Sequence, residues 1–238
     1  MAEPIPARES TTVIVRPYPK IVYLYLTWLA SVVCGALQHF QPAFRAGEVL
    51  TEEAIRRSAL YGRIWIFLFV FNILVISFEF TRIRSVAIVF AVLAFVFAGI
   101  EFGYLAAVGT FLRDLPIFMN RTFYFVVAIV FTVIYLLVFL TTRFNYWEFQ
   151  PNEILHHHGF LGDVQRYPTR GLRMQKEITD VLEHILLRAG TLVLVPPGVE
   201  RPIVLENVIN LNRVEDKIQR LLGTLKVRID EGQVGGPD

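Results

Sequence analysis

Apolar residues in this chain fall into four long runs, followed by short segments in which apolar and polar positions alternate. The first run, 21–40 (IVYLYLTWLASVVCGALQHF), carries no formal charge and follows Lys20. The second, 64–80 (IWIFLFVFNILVISFEF), contains Asn72 at mid-depth. The third, 85–112, contains Glu101, and the fourth, 122–142, is uncharged throughout. A helix rises about 1.5 Å per residue, so about 20 apolar residues cross a hydrocarbon core of about 30 Å. The four runs predict four transmembrane helices. The third is longer than the core requires, which predicts that it tilts or projects.

The connections agree with this count. Thr81-Arg82-Ile83-Arg84 leaves room only for a tight reversal, so the second and third spans should form an antiparallel hairpin. Pro116, between Arg113 and Arg121, removes a backbone donor and stops the third helix. Thr51 followed by Glu52 and Glu53 reads as a helix start, because a hydroxyl cap and early acids suit the exposed amides there. That helix, AIRRSALYGR, would run straight into the second span. Tyr18, Tyr23, Tyr25 and Trp28 cluster near the start of the first span, as interfacial aromatics do. Residues 1–20 are polar, carry four prolines and lack the apolar core of a signal peptide. They predict a mobile or extended arm on the membrane surface.

After Arg143 the period changes with almost no linker. Segments 144–149, NEILHHH, DVQRYPT, LRMQKEI, TLVLVP and RPIVLENVIN read as strands. Gly159-Phe-Leu-Gly162 is a turn with permissive φ at both ends, and DVLEHILLRAG is a short amphipathic helical turn closed by Gly190. A longer helix follows, with Leu211, Val214, Ile218, Leu221, Leu222 and Leu225 on one face. Asn212 and Glu215 fit a capping box, and Gly223 sits where a C-cap glycine would. The predicted organisation is an arm (1–20), a transmembrane domain (21–143), a folded domain (144–225) and a flexible tail (226–238). The fold class is therefore a four-helix membrane anchor followed by a small antiparallel sheet or barrel capped by one helix.

Residues 144–225 resemble a bacterial pleckstrin-homology-like domain of the kind flanked by membrane helices. The features that carry the resemblance are NEILHHHGFLGDVQRYPTRGLRMQKEI, then LLRAGTLVL, then RPIVLENVINLNRVEDKIQRLL. They cover about a third of the chain and do not explain the four-span anchor. The resemblance implies a sheet capped by one helix, frequent self-association, and a binding or scaffold role. Lipid-headgroup binding does not follow from it, because that site varies within the superfamily.

Composition supports the membrane reading. Hydrophobic residues make up 54% and charged residues 18%, with mean hydropathy +0.50, whereas soluble domains carry roughly 25% charged residues. The net charge of +2 argues against a broad nucleic-acid surface. The single cysteine, Cys34, sits in an apolar run and reads as a small packed residue.

Candidate chemistry is sparse. Glu101 is ionisable within a span, which costs several kcal/mol unless it is buried or paired. It reads either as a proton or ion site, or as a hydrogen-bonded or interfacial carboxyl. Gly99 and Gly103 have GxxxG spacing, which can bring two membrane helices close. Asn72 could hydrogen-bond across helices, and His39 reads as an interface histidine or a proton relay. Arg166, Arg170, Arg173 and Lys176 form the densest basic group. They suit anionic headgroups, or pairing with Glu177, Asp180, Glu183 or a neighbouring protomer. His156 and His158 would share a strand face, but no nearby Cys or HxxxH spacing completes a metal site. No P-loop, GxGxxG, GxSxG, HExxH or CxxC motif is present.

These features predict a non-enzymatic membrane scaffold, without cofactor or metal, that contacts membrane lipids, self-associates and meets other membrane proteins. Four spans put both termini on one side, expected to be the cytoplasmic face of a bacterial inner membrane. The alternatives are a transport or channel component using Glu101, Asn72 and His39, and an accessory subunit of a larger complex.

Overall fold

The computed structural model describes residues 12–41, 52–159, 162–199 and 201–233, the last ten of these as helical backbone only. The cap expected at Thr51, the centre of the Gly159–Gly162 turn, the side chain of Leu225, most of the N-terminal arm and the end of the tail lie outside what is described. The chain divides into two compact units. One runs to Pro19 and resumes over Val138–Ile178 and Glu183–Asp238; the other comprises Lys20–Leu137 and Thr179–Leu182.

The helical unit begins with a 3₁₀ turn, Lys20–Leu24, that leads into α1 (Tyr25–Phe40). Then come α2 (Glu52–Ser77), α3 (Arg82–Glu101), α4 (Tyr104–Asp114) and α5 (Arg121–Phe144). Four stretches are long and apolar enough to cross a membrane: Lys20–Phe40, Glu52–Ser77, Arg82–Glu101 and Arg121–Phe144. As expected, the segment after Glu53 runs unbroken into the second span.

Helices α1, α2 and α5 share a core of Ala30, Cys34, Trp65 and Tyr124. Trp65 stacks on Phe69 and meets Phe123 edge-on, both at 5.1 Å between ring centroids. Gly62 of α2 lies so close to the Ile117 carbonyl that a side chain has no room there. By contrast, Gly99 is the sole buried residue of α3, and α4 has none. The rest of α3 turns apolar side chains outward on every side, which suits surrounding lipid better than water.

The expected third span, 85–112, is two helices rather than one. The helix breaks at Phe102-Gly103, where Gly103 has φ +73°, a left-handed conformation that glycine adopts without a Cβ penalty. Helix α4 folds back against α3: Tyr104 Oη donates to the Phe95 carbonyl at 2.9 Å, and a Cβ on Gly99 would lie 2.6 Å from Leu105 Cγ. At 11 residues, α4 is too short to span.

The connection between α2 and α3 is Phe78–Thr81, earlier than the expected Thr81–Arg84, because Arg82, Ile83 and Arg84 form the first turn of α3. Its Phe80 amide donates to Asp180 Oδ2 at 2.8 Å, and its carbonyl accepts from the Val181 amide at 3.0 Å. Asp180 Oδ1 accepts from the Leu182 amide at 2.8 Å. One buried carboxylate thus satisfies backbone donors from two segments.

The sheet unit holds β1 (Val13–Val15), β2 (Tyr146–Phe149), β3 (Glu153–His158) and β4 (Asp163–Pro168), paired antiparallel in that order. A second antiparallel sheet contains β5 (Arg173–Glu177), β6 (Gly190–Val195) and β7 (Ile203–Val208). Helix α6 (Val181–Leu187) connects β5 to β6, and α7 (Leu211–Gln233) follows β7. Neither sheet closes, so these are two open sheets and no barrel. Trp147 and Phe149 point inward from β2 while Tyr146 and Glu148 point outward, the alternation its sequence predicts. They join Val15, Ile154, Leu192, Leu194, Leu205 and Val208, covered by Leu211 and Ile218 of α7.

Two further expectations are corrected. Part of the N-terminal arm is structural: Val15 pairs with Trp147 and is 1% exposed, and the Tyr18 amide reaches the Asn207 carbonyl at 3.4 Å. The helices from Lys20 onward therefore sit, in sequence, between the first and second strands of one sheet. The closing helix also departs from its predicted ends. Gly223 lies within α7, which continues to Gln233, beyond the expected domain end at 225 and into the tail. Asn212 and Glu215 form no capping box, because α7 begins at Leu211 and Asn212 lies inside its first turn; both side chains instead contact Lys176 Nζ of β5.

Candidate functional site

The intramembrane polar residues line the α1–α2 seam. Thr27, Ser31 and Gln38 follow one another at helical spacing on α1, and all are at most 2% exposed. Asn72 Nδ2 donates to Thr27 Oγ1 at 2.7 Å, and Trp65 Nε1 donates to Ser31 Oγ at 2.7 Å. Ser31 Oγ donates in turn to the Thr27 carbonyl at 2.8 Å, and Gln38 Nε2 to the Met119 carbonyl at 3.0 Å. In hydrocarbon such bonds act as glue between helices, each worth about 0.6 kcal/mol on average. Asn72 is thus placed as the sequence suggested. Its partners were missed, although Thr27, Ser31 and Gln38 are spaced i, i+4 and i+11 within an otherwise apolar run.

Glu101, Asn72 and His39 do not converge. Glu101 is exposed at the end of α3. His39 Nδ1 faces Arg121 Nη1 at 3.4 Å at the end of α1. Asn72 bonds Thr27. No hydrogen bond or ion pair joins any two of the three. Gly99 and Gly103 also form no continuous helix face, because the helix breaks between Glu101 and Tyr104.

The basic group separates on the sheets. Arg166 of β4 pairs with Glu153 of β3 at 3.5 Å, and Lys176 of β5 is taken up by Asn212 and Glu215 of α7. Arg173 and Lys176 lie three residues apart on β5 and so point to opposite faces. Arg170, in the turn before β5, and Arg173 are exposed. Arg166 is also largely exposed despite its pair with Glu153, so Arg170 and Arg173 are the exposed members of this group for which no ion pair is found among the described residues.

The three histidines form an aromatic row on paired strands. His156 stacks on Trp147 with ring centroids 3.9 Å apart, and His157 stacks on Tyr146 at 4.4 Å. Strand register causes this directly, since Trp147 opposes His156 and Tyr146 opposes His157. His156 Nε2 meets Asn145 Oδ1 at 3.1 Å, and His157 Nε2 meets Glu148 Oε2 at 3.3 Å. Arg16 stands 5.8 Å over the Tyr146 ring. Burial pushes the His156 pKa below its usual value, with His158 and His157 adding to the effect and a hydrogen bond to Gln165 opposing it. No cluster of three His, Cys, Asp or Glu side chains suited to a metal occurs among the described residues.

Comparison of the chain with known protein families, curated proteins and solved structures returns no match.

Proposed function

We propose that this protein is a non-enzymatic integral membrane scaffold of a bacterial inner membrane, with both termini cytoplasmic. Its pleckstrin-homology-like sheet unit mediates self-association, or binding of a partner or lipid headgroup, at the cytoplasmic face. One observation carries the reading: a four-stranded and a three-stranded antiparallel sheet share a core with one closing helix, and the membrane-length helices are inserted after the first strand. That layout is similar to the one the resemblance implies. Insertion within a sheet makes the anchor part of the unit's own topology, which suits a positioned platform better than a tethered sensor.

The test is the mass of the native particle. Gentle detergent extraction followed by light scattering and single-particle imaging should give a discrete oligomer, alone or with partner subunits. A monomer at every concentration, with no co-purifying subunit and no binding to anionic vesicles, would remove the scaffold reading.

A further inference from the structure

The helical unit contains a cleft of about 930 Å³ where α1 ends and α2 and α5 begin. Gln38 lines it from α1; Ala54, Ile55 and Ser58 from α2; Phe118 to Asn120 from the connection; and Arg121 to Phe123 from the first turn of α5. The volume is in the range of a small-molecule site. We propose that this cleft binds an amphiphile with an anionic, phosphate-bearing head.

Three features support that chemistry. First, the lining is divided. Ile55, Phe118, Met119 and Phe123 offer apolar surface, while Gln38, Ser58, Asn120, Arg121 and Thr122 offer polar groups. A purely polar ion would leave the first set idle, and a neutral hydrocarbon the second. Second, the charge is one-sided. None of the described lining residues is acidic, and the first turn of α5 carries no acid to offset the positive end of the helix. Arg121 supplies a guanidinium there, and among the described residues its hydrogen-bond contact is the His39 ring at 3.4 Å. Of the two acids that open α2, Glu53 is paired with Arg57 and Glu52 is exposed, and neither lines the cleft. Third, the cleft is braced by bonds that a ligand need not break. Gln38 is 2% exposed and its Nε2 holds the Met119 carbonyl, which Ser58 Oγ also reaches at 3.3 Å. Asn120 Oδ1 caps the Phe123 amide at 2.8 Å.

The location fits the ligand. Arg121 opens the span Arg121–Phe144 and the cleft flanks the end of the span Lys20–Phe40, so the cleft lies at the level where headgroups meet hydrocarbon. An acidic phospholipid can place its phosphate on Arg121 and its upper chain against Ile55, Phe118 and Phe123.

The test uses the delipidated full-length protein in a neutral detergent, with phosphatidylglycerol, phosphatidylcholine and inorganic phosphate as probes. Native mass spectrometry and thermal shift are the readouts. Phosphatidylglycerol should be retained and should raise the melting temperature, whereas phosphatidylcholine and inorganic phosphate should do neither. Arg121→Gln should weaken phosphatidylglycerol retention by at least about tenfold, the size expected on losing a charge-assisted hydrogen bond. Arg121→Lys should retain most of it. Equal retention of both lipids, or unchanged retention by a folded Arg121→Gln, would overturn the proposal. Inorganic phosphate acting as strongly as the lipid would also overturn it, by reducing the cleft to a simple anion site. If Arg121→Gln does not fold, the lipid contrast in the wild type and in Arg121→Lys decides.

Discussion

Trp147 and His156 lie face to face on paired strands, with ring centroids 3.9 Å apart and planes 5° from parallel. The stack puts a titratable ring where burial disfavours its charge, so His156 titrates below its usual value in the folded chain. The sign follows from linkage. The unfolded chain takes up this proton near pH 6.5, and the folded chain only at lower pH. The stability contribution is therefore complete above about pH 6.5 and is lost as pH falls from there through the folded value. Denaturation midpoints of the full-length protein should drop between pH 7.5 and pH 5.5, and the drop should be smaller in His156→Gln. An identical pH dependence in the variant would show that His156 is not the group responsible.

Val15 tests whether the first strand belongs to the sheet unit's core. It is 1% exposed and sits beside Trp147, Phe149 and Leu211 in one cluster. Val15→Ala deletes two buried methyl groups and should cost about 1–3 kcal/mol. A change of that size lowers the melting temperature by several degrees. Ile14→Ala, at a position 47% exposed, should change it little. Equal effects at the two positions would mean that the strand does not pack as described.

The contrast between β1 and the spans shows what the sequence could reveal. Each span announces itself through an unbroken run of some twenty apolar residues, and no other element competes for that pattern. The strands after Arg143 are legible because period 2 is local. Val13-Ile14-Val15 is only three residues long and lies more than 130 positions from its partner, so no window contains the pairing that makes it a strand. The break at Gly103 was hidden for a different reason. The apolar run continues across it, and the kink depends on a left-handed φ and on how α4 packs over Gly99. Lys176 shows the same limit at a candidate site. Its neighbours in sequence suggested a basic patch, whereas its contacts lie on α7, 36 and 39 residues away.

That relocation divides the basic group into two testable classes. Arg170→Ala combined with Arg173→Ala removes exposed charges from the sheet unit. It should lower binding to anionic vesicles by several-fold per charge, at about 1 kcal/mol each, and leave stability unchanged. Lys176→Ala should do the reverse. It strands the Glu215 carboxylate against β5 and should destabilise by about 1 kcal/mol without altering vesicle binding. Vesicle sedimentation and thermal melts read the two effects separately. If Lys176→Ala is the variant that loses vesicle binding, the assignment of roles is reversed.

Gly62 offers a sharper test of packing in the helical unit. A Cβ there would overlap the Ile117 carbonyl oxygen, a backbone atom that cannot swing away as a side-chain tip can. Elsewhere in an exposed helix interior, Gly→Ala would stabilise by up to about 1 kcal/mol. At Gly62 the expected sign is opposite, because α2 must separate from the segment leading into α5. Gly62→Ala should lower the melting temperature in detergent. Gly223→Ala, with open space around its Cβ inside α7, should leave it unchanged or raise it. A stabilised Gly62→Ala would show that α2 and the Leu115–Asn120 segment are not in contact.

The join after Arg143 bears most directly on the scaffold reading. Helix α5 continues to Phe144, the Asn145 amide still bonds the Thr141 carbonyl at 3.0 Å, and β2 starts at Tyr146. Asn145 alone stands between the end of the helix and the strand that follows it. A run of Gly and Ser behaves as random coil and would separate the helix end from the strand. Inserting six such residues after Arg143 should keep both units folded, since neither loses a buried side chain. If assembly needs the sheet unit held in a set direction, the extracted particle should fall to a smaller mass while the melting temperature of the sheet unit is retained. A particle of unchanged mass would show that self-association depends on surfaces within one unit alone, and that the direct join has no part in it.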